Sequence, residues 1–124
     1  MPYQFKSMMN VDNVKSQMRK GMLEYCILLL LHREASYASN IIQSLKEAKL
    51  IVVEGTLYPL LTRLKNDGLL AYEWVESTQG PPRKYYRLTE MGEVCLLELE
   101  TAWNELSTTV NHLRQEQPQK QTEI

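Results

Sequence analysis

The stretch that decides the fold runs from Gly55 to Gly92 and reads GTLYPLLTRLKNDGLLAYEWVESTQGPPRKYYRLTEMG. In its first part, leucines recur every three or four residues, a spacing typical of a helix with one buried face. Asp67 and Gly68 supply the turn chemistry that ends such a helix. The remainder is rich in Tyr, Trp and Val around a Gly-Pro-Pro turn, which predicts a two-stranded ribbon.

The boundaries of these elements follow from the same stretch. The pattern predicts a helix that opens at Glu54 or Thr56, two strands over residues 69–76 and 83–88, and a hairpin tip over residues 77–82. Pro59 is expected in the first turn of the helix, because a proline placed deeper removes a backbone hydrogen bond.

Outward from this stretch the chain is mainly helical. Apolar residues at helical spacing predict a first helix from Asn10 to Leu31, and Ser36 is suited to cap a second. Thr89 is suited to cap a last helix in the same way. We therefore predict a mainly α (α+β) fold with the element order of a winged helix-turn-helix, divided as follows: a flexible arm at 1–9, the winged helix-turn-helix domain at 10–88, a long C-terminal helix at 89–114 and a disordered tail at 115–124.

Composition places the chain among ordinary globular proteins. It has 124 residues, 44% hydrophobic and 23% charged, with a net charge of −1. No apolar run approaches the roughly 18 residues of a membrane span. The start lacks the order of a signal peptide, so we expect a cytoplasmic location, no contact with a membrane, and two reduced cysteines, Cys26 and Cys95.

The third helix and the ribbon tip carry the residues suited to DNA. Around the helix, the polar face opposite the leucines holds Thr56, Pro59, Thr62, Arg63 and Asn66, with Tyr58 and Lys65 at its edge. Arginine pairs with guanine or phosphate, and threonine contacts a phosphate or a thymine methyl. Any amphipathic helix has a polar face, and any hairpin can carry charge. However, the order of three helices and a ribbon, with Arg83 and Lys84 directly after Pro82, favours a winged helix-turn-helix.

Three segments together resemble the PadR family of transcriptional regulators: Gly55 to Leu64, Asp67 to Leu70, and Gly80 to Gly92. The resemblance extends over roughly residues 18–113. The chain is similar to the smaller subfamily, which has one C-terminal helix. It implies a dimeric repressor, with these residues at or near DNA: Tyr37, Thr56, Tyr58, Pro59, Arg63, Arg83 and Lys84. The family often has Gly-Tyr where this chain has Ala38-Ser39, so Ser39 is carried over as a shorter substitute for the tyrosine.

The last helix carries a coiled-coil-like seam that predicts a homodimer interface. Its expected contact residues are Leu99, Ala102, Trp103, Leu106, Val110 and Leu113. The segment around Trp103 resembles the branch of the family in which two tryptophans sandwich a flat aromatic ligand. Trp103 is therefore a candidate for binding a small aromatic effector, and the alternative is that it only fills the dimer seam.

An enzyme and a protein-binding adaptor are the two alternatives to a DNA-binding repressor. An enzyme is not expected, because neither His32 nor His112 has metal-ligand spacing and the sequence contains no phosphate loop or nucleophile elbow. No metal and no cofactor is expected. A winged-helix adaptor that binds proteins without specific DNA binding stays open because the net charge is near zero. Binding driven by phosphate contacts weakens steeply as the salt concentration rises, so salt dependence distinguishes a DNA-binding repressor from a protein-binding adaptor. A dimer that presents two third helices to duplex DNA predicts an inverted-repeat operator.

Overall fold

The computed structural model describes residues 10–122, which form four helices and a small antiparallel sheet. The elements are α1 (Val11–Arg33), β1 (Ser36–Tyr37), α2 (Ala38–Glu47), α3 (Glu54–Asn66), β2 (Leu70–Ser77), β3 (Gly80–Leu88) and α4 (Glu90–Thr122). The sheet order is β1-β3-β2. This architecture confirms the predicted α+β winged helix-turn-helix. The predicted N-terminal arm, residues 1–9, lies outside the described residues, as do residues 123 and 124.

The core joins the first three helices to the base of the sheet. Ile27 on α1, Leu57 and Leu61 on α3 are fully buried, as the helical spacing of the leucines predicted. They pack with side chains from α2, β2, β3 and α4, among them Ile41, Leu45, Leu70, Tyr86 and Leu96. Because α3 buries only one face, its other side chains are left for contacts outside the core.

The end of α3 has the chemistry that Asp67 and Gly68 predicted. Gly68 has φ 84°, in the left-handed region that glycine adopts without a steric penalty. The amide of Leu69 donates to the carbonyl of Leu64 at 3.0 Å, and that of Gly68 donates to Lys65. This is a Schellman ending, and it turns the chain directly from α3 into β2.

Pro59 does not lie in the first turn of α3, contrary to our expectation. The helix begins at Glu54, so Pro59 is inside it. The Val53 carbonyl accepts from the amides of both Thr56 and Leu57, which starts the helix further upstream. Proline has no amide hydrogen to offer the carbonyl of Gly55. Gly55 is exposed, so water can satisfy that oxygen.

The wing, the ribbon formed by β2 and β3, is longer than predicted. Its turn is only Thr78-Gln79, because Ser77 already pairs with Gly80. Pro81 and Pro82 belong to β3 rather than to a loop. The register shifts between Val75 and Ser77, which leaves two prolines opposite one residue. A bulge of this kind tolerates residues that lack an amide hydrogen.

Two further boundaries differ from the sequence prediction. Ser36 does not cap α2, because its backbone pairs with Tyr86 in the sheet and α2 begins only at Ala38. The last helix continues to Thr122, whereas a disordered tail was predicted from Gln115. That prediction rested on the lack of apolar residues, which indicates that a segment is not buried but does not exclude a helix. Glutamine, glutamate and lysine are nevertheless good helix formers.

Thr89 caps α4 as predicted, and it does more than cap. Its hydroxyl accepts from the amide of Gly92 at 3.0 Å and donates toward the carbonyls of Gly68, at 2.7 Å, and Leu69. The amide of Thr89 also donates to Leu69. One threonine therefore joins the end of α3, the end of β3 and the start of α4. A side chain at Gly92 would overlap the Leu69 carbonyl oxygen and lie 2.7 Å from Leu88 Cδ1.

We expect Gly92→Ala to lower the free energy of unfolding by about 1–3 kcal/mol, the usual cost of overpacking a close contact. Gly55→Ala is the matched control, because a methyl group there meets nothing within 4 Å. Urea unfolding followed by circular dichroism measures both. Equal stability of the two variants would contradict the close approach of α4 to Leu69 and Leu88.

Candidate nucleic-acid interface

A cleft of about 430 Å³ lies between the recognition side of α3 and the wing. Tyr58 and Thr62 reach it from α3, and Arg83 and Lys84 reach it from β3. Tyr37 and Ser39, at the start of α2, complete its third wall. The structure thus brings together six of the nine side chains that the sequence predicted for DNA.

Arg83 is held in place by two neighbours at the start of α2. Its guanidinium carbon lies 3.9 Å from the centroid of the Tyr37 ring, a stacking distance. Its Nη2 donates to the Ser39 hydroxyl at 2.7 Å. The Tyr37 ring packs in turn on Tyr85, with centroids 4.9 Å apart. Ser39, which stands where the family often has tyrosine, therefore contacts Arg83 of the wing.

Lys84 is placed over aromatic rings on the other face of the ribbon. Its Nζ lies 4.6 Å from the centroid of Tyr72 and 5.4 Å from that of Trp74. Lys65 of α3 approaches Tyr72 as well, with its Nζ 5.7 Å from the centroid. Two ammonium groups, one from the helix and one from the wing, are thus gathered around one ring. An anion between α3 and the wing would relieve their mutual repulsion.

Tyr86 forms the floor of the cleft and is the one predominantly buried ring among its lining residues. Burial raises the pKa of Tyr86, and the neighbouring phenols of Tyr72 and Tyr58 raise it further. The phenol therefore keeps its proton at neutral pH and adds no negative charge. The polar lining of the cleft stays favourable to phosphate.

The remaining predicted residues of α3 lie along a second groove, between α3 and α1. Thr56, Pro59 and Arg63 line it together with Glu24 of α1. The Arg63 guanidinium forms an ion pair with the Glu24 carboxylate, and this hydrogen bond raises the pKa of Arg63. The predicted polar face of α3 is therefore divided between two grooves. The sequence of α3 alone did not reveal this, because the carboxylate that pairs with Arg63 lies on α1.

The predicted dimer residues of α4 are mostly exposed in a single chain. Leu99 is half-buried, Ala102 is exposed, and the larger side chains have exposed fractions of 43% for Trp103, 62% for Leu106, 50% for Val110 and 65% for Leu113. Val14 and Met18 on the first half of α1 are exposed too. The two long helices together present an apolar surface that a monomer would leave in water.

The structure contains little that suggests catalysis. Burial raises the pKa of both the Cys26 and the Cys95 thiols, which disfavours the nucleophilic thiolate. Among residues 10–115, whose side chains the structure describes, no group of three or more His, Cys, Asp and Glu side chains is placed to hold a metal ion. Over the same residues, no helix is both long and apolar enough to cross a bilayer.

A model of the transcriptional regulator PadR-like family matches residues 27–98, which include the helices and the wing that form the cleft. The chain belongs to this family. PadR-like proteins are transcriptional regulators and not enzymes, so the expectation that the chain is no enzyme is confirmed.

Relatives of known structure support the assignment. The chain is 79% identical to a PadR-like transcription factor from Bacteroides fragilis, with a TM-score of 0.72 over 82% of this chain and 98% of that chain. It is 38% identical to a PadR family regulator from Eggerthella lenta, with a TM-score of 0.74 over 87% and 98%. The transcriptional regulator Rv3488 of Mycobacterium tuberculosis is 37% identical over 86 residues, covering 67% of this chain and 79% of that protein.

Sequence reasoning missed three residues beside the predicted cations: Trp74 in the cleft, Tyr72 next to Lys84, and Glu24 in the second groove. Trp74, Tyr72 and Glu24 lie on β2 and α1, outside the helix and the tip where cations were sought. Trp74 and Lys84 are paired across the ribbon only because of the bulge, since a regular register counted back from Thr78-Gln79 would pair Trp74 with Arg83. No signal in the sequence pairs Glu24 with Arg63.

Proposed function

We propose that this PadR-like regulator is a homodimeric repressor that binds an inverted-repeat operator through α3 and the wing. The observation that carries the proposal is the placement of Arg83 and Lys84 in one cleft between α3 and the wing, with Lys65 of α3 near the Tyr72 ring that Lys84 also approaches. Stacked rings hold these cations in place, so less side-chain freedom is lost when they meet phosphates. A regulator that works in this way acts on chromosomal DNA, and we place it in the cytoplasm.

The apolar surface of α1 and α4 supports the dimer in this proposal. Between Thr89 and Arg114 the chain has five glutamates and one arginine. The exposed first half of α1 instead carries Lys15, Arg19 and Lys20 against one aspartate, Asp12. Opposite charges beside matching apolar rows favour packing of α4 of one copy on α1 of the other. Two-fold symmetry then repeats the contact and presents two α3 helices to grooves roughly 34 Å apart.

The same packing gives Trp103 its proposed role. In a two-fold dimer built on α4, the two copies of Trp103 approach each other near the seam. Flat aromatic molecules stack on indole rings, so a small aromatic effector is the proposed ligand class. Such a ligand releases DNA only if it binds one dimer arrangement more tightly than the other.

The test of DNA binding uses the salt dependence of affinity for the duplex upstream of the protein's own gene, against a scrambled duplex. We expect Lys84→Ala to reduce the log–log salt slope by about 0.9, equivalent to roughly eightfold in affinity near 0.1 M salt. Lys46→Ala is the matched control, because Lys46 is exposed at the end of α2 and away from the cleft. Fluorescence anisotropy gives both quantities. An affinity and salt slope unchanged by Lys84→Ala would contradict the assignment of the wing to DNA. Weak binding that is equal on both duplexes would point to a distant operator or to an adaptor that binds protein.

The ion pair between Glu24 and Arg63 leads to a second test on DNA. Glu24→Gln removes the charge that neutralises Arg63, so we expect tighter binding and a salt slope steeper by about 0.9. Arg63→Ala should weaken binding and relax sequence preference. The double variant should lose the gain that Glu24→Gln produces. Weaker binding by Glu24→Gln alone would show that the ion pair orients α3 rather than masking Arg63.

The dimer is tested by Leu106→Glu, which places a charge in the apolar row of α4. We expect a monomer by multi-angle light scattering and loss of specific binding, because a buried unpaired carboxylate is strongly unfavourable. Thr108→Glu is the matched control on the same turn, since Thr108 is exposed and lies outside the row. A wild-type protein of monomer mass would contradict the dimer, and with it the two-site operator.

A further inference from the structure

Trp74 is the largest exposed side chain of the wing, and no role described above accounts for it. It lies on β2 with 61% of its surface exposed. The other exposed large apolar residues lie mostly along α1 and α4, where the proposed dimer covers many of them, and in the segment before α3. Trp74 instead lines the cleft beside Tyr58 and Lys84. Together with Tyr58 and Lys84, the indole gives this side of the cleft a surface that is both apolar and cationic and is open to a ligand.

The position of the indole is fixed from two sides. Its ring meets Tyr72 edge-on, with centroids 5.9 Å apart and planes at 88°. In the strand register Trp74 is directly opposite Lys84, whose ammonium lies 5.4 Å from the indole centroid. Tyr72 is itself packed against Tyr86 at 5.6 Å. The indole and the ammonium therefore form one unit, apolar on one side and cationic on the other.

A DNA strand offers the complement of that unit. Each phosphate is followed by a deoxyribose, whose ring carbons are apolar. An ammonium that reaches a phosphate brings a neighbouring flat ring against the adjoining sugar. Contacts to the backbone position a protein without reading sequence. An aromatic ring serves this purpose well, because it offers a large rigid area at a small entropic cost.

We propose that Trp74 is a DNA-contacting residue whose indole packs on the deoxyribose next to the phosphate that Lys84 binds. The proposal rests on the proposed function, since it requires that the cleft binds duplex DNA. It assigns the two residues different physical roles. Lys84 supplies the salt-dependent part of the affinity, and Trp74 supplies a part that salt does not screen.

The first test separates these roles by the salt slope. Trp74→Ala should weaken binding about tenfold on both the upstream and the scrambled duplex, the scale expected for losing roughly 60 Å² of apolar contact. Its log–log salt slope should equal that of the wild type. Trp74→Phe should recover most of the affinity. If the slope of Trp74→Ala falls as it does for Lys84→Ala, the indole acts only by positioning the lysine, and the proposal is overturned.

The second test stays valid if Trp74→Ala fails to fold. The chain has two tryptophans, so the emission of Trp74→Phe comes from Trp103 alone. Saturating the wild type with duplex should change its tryptophan emission. In the same titration Trp74→Phe should show no such change, while anisotropy shows that it still binds the duplex. A silent wild type, or a change that persists in Trp74→Phe, overturns the proposal. If anisotropy detects no binding by the wild type even at low salt, the proposed function itself fails.

Discussion

The hydrogen bonds of the Thr89 hydroxyl are the constraint on which the rest of the structure depends. Its oxygen lies within 3.0 Å of the Gly68 and Leu69 carbonyls and of the Gly92 amide. Three elements end or begin at this point, and the hydroxyl gives a partner to the Gly68 carbonyl at the end of α3 and to the Gly92 amide in the first turn of α4. The direction of α4 relative to α3 is therefore set by contacts of a few atoms. This junction therefore also fixes the position of the exposed surface of α4 relative to α3.

The sequence predicted the elements better than their edges. Leucine spacing in α3, the Asp67-Gly68 ending and the Thr89 cap are local features, and each is found in the structure. Ser36 was misread because its partner in the sheet, Tyr86, lies fifty residues away in sequence. The prolines of the wing were misread as a loop. A bulge in β3 depends on the register of the partner strand, and local composition does not reveal it.

The same distinction applies to the candidate site. The residue types were predictable, because the order of three helices and a ribbon gives a polar helix face and the cations Arg83 and Lys84 a shared purpose that neither feature indicates alone. Their partners were not. Arg83 contacts Ser39 and Tyr37. Arg63 pairs with Glu24, and each of these contacts joins two different elements. The sequence shows which cations are present, whereas the fold decides which of them face the cleft and which are already neutralised.

The bulge at the wing tip has a consequence for how the protein behaves at high concentration. An exposed ribbon presents unpaired amides that invite a strand from another molecule. Pro81 and Pro82 have no amide hydrogen, and they lie at the exposed end of β3, beyond the short pairing of β1 with Tyr85 and Tyr86. Two successive positions of β3 near the tip therefore offer no donor with which to extend the sheet into a neighbouring chain. This edge is less suited to pairing with a foreign strand, while the side chains beside it remain accessible.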